Sequence, residues 1–292
     1  MKNNQQYSNF VKKIASIYLI GIALTNPSFA YNNVGAVFDP LLRLISYPGK
    51  IEVPCPSQDK NTAVLLAIGQ SNVANHGEIK FSTQYPTQVF NYFNGKCYVA
   101  SSPLLGASGE RGEFLTPLAD YLIEGGIYNK VIIIASGING SQISRWTPNF
   151  DLNPMLMSVL AEVKSKYKIT EIIWHQGETD FLIPTPKDNY LASFYSFLST
   201  IRINTTLPPI YYAIATHCGP NWYFNNPVAL AQYSLTNEQN NIFLGANTDA
   251  LIPMKERFDN ACHFRYIGQL KAAFAYAQAI QQNKPFYAEN NQ

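Results

Sequence analysis

Charge is scarce in this chain. Only 14% of its 292 residues are Asp, Glu, Lys or Arg, the formal net charge is +2, and no basic run occurs outside the N-terminus. Phosphate binding needs clustered Lys and Arg, so nucleic acid is not an expected partner. Low-complexity linkers and internal repeats are absent, and no segment beyond the first thirty residues is long enough to span a membrane. Cysteine is rare: Cys55, Cys97, Cys218 and Cys262 contain no C-x-x-C pair, which argues against a zinc knuckle. His175, His217 and Asp180 lack the short, regular spacing of common zinc motifs, so neither a metal nor another cofactor is expected.

What is abundant is apolar. The 47% of hydrophobic residues suffices for a sizeable core and is too high for a disordered chain. The N-terminus reads as a secretory signal over residues 1–30. Lys2, Lys12 and Lys13 precede the apolar stretch "IASIYLIGIAL", and Ser28 and Ala30 offer small residues for cleavage near Ala30. An uncleaved anchor is the other reading. Export to the periplasm or the outside puts the cysteines in an oxidising compartment, where four suggest two disulfides. Three pairings exist; position along the chain favours Cys55–Cys97 with Cys218–Cys262, and free buried thiols are the alternative.

After residue 60 continuous apolar runs alternate with helical spacing. "AVLLAIG" (63–69) is a continuous apolar run, the mark of a strand buried on both faces, and "KVIIIASG" (130–137) reads as a second buried strand; "EIIWHQG" (171–177), "PIYYAIATHC" (209–218) and the short "IFLGAN" (242–247) read as further strands. Residues 114–126, 153–167, 189–202, 227–239 and 266–282 read as helices; Asn153 and Pro154 suit an N-cap and first position. This alternation predicts an α/β fold with a mostly parallel sheet and helices on both faces. One domain over residues 60–285 follows, with residues 31–59 as an N-terminal extension.

The polar residues cluster where such sheets carry function, after the carboxyl ends of strands. Ser71 follows the first run; Gly137, Asn139 and Gly140 the second; His175, Gln176, Glu178 and Asp180 the third; His217 the fourth. Asp259 and His263 precede the last helix. A serine hydroxyl needs a base to take its proton, an acid to orient that base, and donors for the developing oxyanion. Ser71, His263 and Asp259 supply the first three; the Ser71 N–H, a glycine N–H and the Gln176 amide are the expected donors.

"GQSN", "WHQGETD" and "DNACHF", with "PLLGASGERGEFLTPLADYLIEGG" and "ASGINGSQISRW" between, resemble the SGNH hydrolases over residues 62–278. The sialic-acid-specific acetylesterase-like group, carbohydrate esterase family six, is the branch they resemble most. The resemblance implies a three-layer α/β/α sandwich of the SGNH, flavodoxin-like kind. It implies hydrolysis of O-acetyl esters, commonly on carbohydrates, without a metal. It puts the nucleophile at Ser71, the base at His263, the oxyanion glycine at Gly112 (Gly109 being the alternative) and the completing amide at Gln176. The acid departs from the usual D-x-x-H: that position is Asn260, and Asp259 lies four residues before His263. Either Asp259 still reaches the ring or a backbone carbonyl orients it.

Blander roles stand beside these. Ser71 could simply cap a helix. His175 reads as a bonded core residue, His76 and His217 as pocket walls, and Glu178 as a buried strut for the loops, with Gln70 and Asn72 as further supporting residues. Trp146 and Trp174 read as core, with Arg145 near the rim. The expected function is a secreted serine esterase acting on an acetylated carbohydrate or other small ester. An SGNH-type lipase or phospholipase, and a non-catalytic glycan-binding protein on the same fold, are the alternatives. The acetylated sugar (sialic acid, xylan, another polysaccharide or a peptidoglycan sugar) and the oligomeric state are left open.

Overall fold

Thr62–Gly69 is a strand with every residue buried, as expected of a strand covered on both faces. The structure, a computed structural model, describes residues 35–290, with side chains to residue 284; the expected signal segment lies outside the described residues. In chain order the strands are β1 (Val37–Phe38), β2 (Leu44–Ser46), β3 (Glu52–Val53), β4 (Thr62–Gly69), β5 (Val89–Phe93), β6 (Lys96–Val99), β7 (Lys130–Ala135), β8 (Glu171–His175), β9 (Ile210–Ile214), β10 (Ile242–Asn247), β11 (Arg257–Phe258) and β12 (His263–Phe264). The main sheet runs β10-β9-β8-β4-β7-β5-β6-β3. It is parallel from β10 through β5, and β6 and β3 close one edge antiparallel.

Helices cover both faces, giving the three-layer α/β/α sandwich. Leu115–Glu124 packs on the C-terminal helix Tyr266–Asn290; Leu152–Lys164, Lys187–Asn204 and Pro227–Tyr233 pack together. Val64, Leu66, Ile132, Ile134, Ile172 and Trp174 of the sheet share one apolar cluster with Leu156, Phe194, Phe197 and Val228 of the second group. Burying a side chain of this size contributes about 1.5–3 kcal/mol.

One expected helix is shorter, and one hairpin is new. The helix expected over residues 227–239 stops at Tyr233, and a separate short turn spans Glu238–Asn240. The β5–β6 hairpin was not anticipated. Its turn is Asn94-Gly95, both at positive φ (49° and 78°), a pair favoured in two-residue hairpin loops. The extension does not stand apart: β3 adds to the sheet edge through β6, and Leu44 packs with Phe93 and Leu105.

The chain leaves β4 towards β5 on one side and leaves β7 towards β8 on the other. The carboxyl ends of β4 and β7 therefore flank a switch point, where a crevice opens.

Candidate active site

β4 ends at Gly69, whose φ is +135°; a Cβ there would lie 2.0 Å from the His175 carbonyl oxygen. Only glycine lets the chain pass this close to β8 and turn upward. Ser71 then opens a short 3-10 turn, Ser71–Val73. Gln70 occupies the cap position and Ser71 makes no capping bond. The Ser71 side chain and N–H have no hydrogen-bond partner among the described residues. An unpaired N–H is ordinary at the first position of a helical turn, and it leaves a donor available.

Gln70 turns the other way: its Oε1 accepts from Thr179 N at 3.1 Å and Gly177 N at 3.3 Å, capping the helix Glu178–Leu182. Asn72 bridges three elements. Its Nδ2 donates to Glu178 Oε1 at 2.8 Å and to the Cys262 carbonyl at 3.0 Å, and its Oδ1 accepts the Phe264 N–H at 3.1 Å. The residues on both sides of His263 are thereby tied to the residue after Ser71, and β12 packs on the Ser71–Val73 turn.

Asp259, the expected acid, reaches the histidine. His263 Nδ1 lies 3.0 Å from Asp259 Oδ2. In the β11–β12 hairpin Phe258 stands opposite His263, so the residue after Phe258 begins the loop beside the ring. The four-residue loop absorbs the irregular spacing by turning left-handed: Asp259, Asn260 and Ala261 have φ of 53°, 54° and 63°. Such residues cost roughly 1–2 kcal/mol each when they carry a Cβ, less for Asp and Asn. Fixed contacts hold the loop. Cys262 N donates to Asp259 O at 3.1 Å, Gly219 N to Asn260 O at 2.8 Å, and Cys218–Cys262 is a disulfide. The buried Arg257 guanidinium donates to the carbonyls of Cys262 (2.9 Å), His217 (3.2 Å) and Thr248 (2.5 Å). The other disulfide is Cys55–Cys97.

Burial lowers the His263 pKa below its ordinary value, against the opposing pull of Asp259, so the ring is neutral at pH 7. His76 stacks beside it with centroids 5.6 Å apart. Burial, then the His263 and Arg111 charges, lowers His76 to about 4. Burial pushes the Glu178 carboxyl up, but His175, its own backbone N–H and Asn72 more than offset this and hold it below its usual value. His175 is a core residue, bonded to Glu178 Oε1 at 3.2 Å and to the Tyr276 hydroxyl at 3.4 Å. Trp146 and Trp174 are wholly buried, and Arg145 pairs with Asp151.

The expected oxyanion donors need correction. The Gly112 N–H is committed to the Gly77 carbonyl at 3.0 Å in a backbone bridge, so it has no hydrogen to offer. The Gly109 N–H has no acceptor among the described residues, and its backbone, at φ +84°, lies against His76. The Gln176 amide is also engaged: fully buried, it donates to the Ser141 carbonyl at 3.0 Å and to Asp180 Oδ2. Asn139, exposed after β7, has its N–H bonded to Ser108 Oγ at 2.8 Å and its side-chain amide unengaged among the described residues. Arg257 escaped sequence reasoning as a site component, whereas His76, expected as a pocket wall, stands beside the His263 ring. A buried arginine facing only carbonyls carries no motif.

Among the described residues no group of three or more His, Cys, Asp or Glu is placed to hold a metal ion, and no helix is long and apolar enough to cross a membrane. The fold is similar to a protein from Arabidopsis thaliana (TM-score 0.59, 17% identity, covering 76% of this chain and 98% of that one). It is also similar to NanS (TM-score 0.54, 17% identity, covering 80% and 100%). A carbohydrate acetylesterase from Xanthomonas citri gives a TM-score of 0.50 at 14% identity, covering 75% of this chain and 56% of that one. Comparison with curated proteins gives no match. Residues 61–282 match the family described as carbohydrate esterase, sialic acid-specific acetylesterase. By that match, which spans the parallel strands, the Ser71 turn and the His263 hairpin, the chain belongs to this family of carbohydrate acetylesterases, enzymes that hydrolyse carboxylic esters.

Proposed function

We propose that this chain is an exported serine esterase that removes O-acetyl groups from a carbohydrate, with Ser71 as nucleophile, His263 as base and Asp259 as the group that orients the base. The observation that carries it is the 3.0 Å contact between His263 Nδ1 and Asp259, on a hairpin tied by Asn72 to the Ser71 turn. An Nδ1–H donated to the carboxylate leaves Nε2 as the lone-pair nitrogen, the tautomer a base requires.

Ser71 Oγ attacks the acyl carbon as its proton passes to His263 Nε2. The negative charge that forms on the carbonyl oxygen meets the unpaired N–H groups of Ser71 and Gly109, with the free Asn139 amide as third donor. Each such donor is worth on the order of 100- to 1000-fold in rate. The intermediate collapses, the sugar oxygen leaves with the proton from His263, and an acetyl-serine remains. Water, deprotonated by His263, attacks the acetyl carbonyl, and collapse frees acetate and Ser71.

Residues 60–285 are the catalytic domain in this reading, and residues 31–59 its extension. Two disulfides support an oxidising compartment, periplasmic or extracellular. The experiment is Ser71→Ala with 4-nitrophenyl acetate. Turnover falls by several orders of magnitude while the fold is retained; unchanged turnover discards the assignment. Wild type prefers the acetate to the octanoate ester, and the opposite preference would favour a lipase.

A further inference from the structure

A second recess lies on the outer side of the acid-bearing loop. It measures about 340 Å³, and its walls include His217, Trp222, Pro253, Met254, Asn260 and Ala261. That volume falls within the range of small-ligand sites, roughly 300–1,000 Å³. Asn260 and Ala261 lie between Asp259 and His263, so recess and reaction centre share a wall.

The recess is built rather than accidental. Trp222 stacks on His217 at 3.8 Å between centroids, 5° from parallel. Its Nε1 donates to Thr216 Oγ1 at 3.0 Å, and that hydroxyl donates to Asp249 at 2.6 Å. The indole is therefore held in orientation before any ligand arrives, which lowers the entropic cost of binding. His217 is 5% exposed, and its Nδ1 is buried with no hydrogen-bond partner among the described residues, so the ring serves as wall. Phe224 meets Trp222 edge-on and is 69% exposed, while Met254 is 73% exposed, so apolar surface extends around the opening.

The wall contains no Asp, Glu, Lys or Arg. A charged ligand would lose its water and gain no partner there, a penalty of several kcal/mol. A long acyl chain would leave the exposed Asn260 amide without a partner. A pyranose ring suits such a wall: its C–H face packs on Trp222 and Met254 and its hydroxyls reach the exposed Asn260 amide.

We propose that this recess is a subsite for a neutral pyranose ring, a neighbour in the glycan of the ring that carries the ester. The proposal rests on the serine-esterase reading and narrows its substrate to an oligo- or polysaccharide rather than a free acetylated monosaccharide.

The test uses the full mature chain with Ser71→Ala, so that binding is read without turnover. Only three tryptophans are present, and Trp146 and Trp174 are wholly buried, which makes the Trp222 indole resonance in a ¹⁵N–¹H spectrum a local reporter. Methyl β-xylopyranoside and methyl β-glucopyranoside, at millimolar concentration, shift the Trp222 signal saturably. Methyl β-glucuronide, carrying a carboxylate, binds about tenfold more weakly. Met254→Ala, at an exposed position that folding does not need, weakens the neutral sugars several-fold, read at the same resonance. Absence of any shift with the neutral sugars, or equal binding of the glucuronide, overturns the proposal. The serine-esterase reading fails separately, by wild-type chain that does not hydrolyse 4-nitrophenyl acetate.

Discussion

Asn72 Oδ1 accepts the backbone N–H of Phe264 at 3.1 Å. The two residues are 192 positions apart, yet each neighbours a proposed catalytic group: Asn72 follows Ser71 and Phe264 follows His263. The spacing of the proposed nucleophile and base is thus set by one amide side chain, with a second bond to Cys262 making the clamp two-sided.

Replacing that amide tests the clamp. Asn72→Ala leaves Glu178 Oε1 without its short bond and the Phe264 N–H without an acceptor, both buried. Stability falls by about 2–3 kcal/mol by urea unfolding, as expected for buried groups left unpaired. kcat on 4-nitrophenyl acetate falls about 10- to 100-fold, because the imidazole loses its seat. A stability loss with kcat unchanged would make Asn72 a strut alone.

Asp259 is 60% exposed in its side chain, so solvent screens its charge on the ring. Asp259→Asn therefore lowers kcat by only about 10- to 100-fold, less than the roughly 10⁴-fold seen where the acid is buried. The pH profile adds a signed check. Activity needs neutral His263, so the rate falls as pH drops through its lowered pKa and is level above it. Asp259 raises that pKa, so the substitution moves the acid limb to lower pH. A limb moved to higher pH contradicts the contact.

The two disulfides close segments of similar length, with separations of 42 and 44 residues, so chain entropy assigns them similar stabilisation, about 2–4 kcal/mol. Their effects on the reaction differ. Paired Cys→Ala changes at Cys218 and Cys262 free the left-handed loop and lower kcat at least about 10-fold. The same changes at Cys55 and Cys97, at the far end of the sheet, cost stability with kcat retained. Equal effects on kcat would remove the loop from the mechanism.

Glu171 is buried, and burial raises its carboxyl to about 8 despite a hydrogen bond from the Tyr128 hydroxyl. Between its ordinary value of 4.5 and that value the folded chain binds the proton and the unfolded chain does not. Stability from this group is full below pH 4.5 and declines as pH rises towards 8. Glu171→Gln flattens that decline, and the gain over wild type is larger at pH 8 than at pH 5. Urea unfolding at the two values reads it; an equal effect at both means the carboxyl titrates normally.

The sequence by itself determined the layered architecture. Five largely apolar runs separated by helical spacing admit few folds other than a parallel sheet between helices, because the central runs must be covered on both faces. It also put Ser71, His175 and Glu178 at strand ends, since the carboxyl edge of a parallel sheet is where its polar groups gather. Only the tertiary structure decided which donors are free. Gly112 and Gly109 are equivalent as letters, yet one N–H is spent on Gly77 and the other is not. The reach of Asp259 across an irregular spacing was likewise decided in three dimensions, by a hairpin register and a left-handed loop held by Arg257 and a disulfide. Hydrophobic periodicity is local and repeats along the chain. A hydrogen bond is spent once, on whichever partner folding brings within about 3 Å, and that partner is far away in sequence.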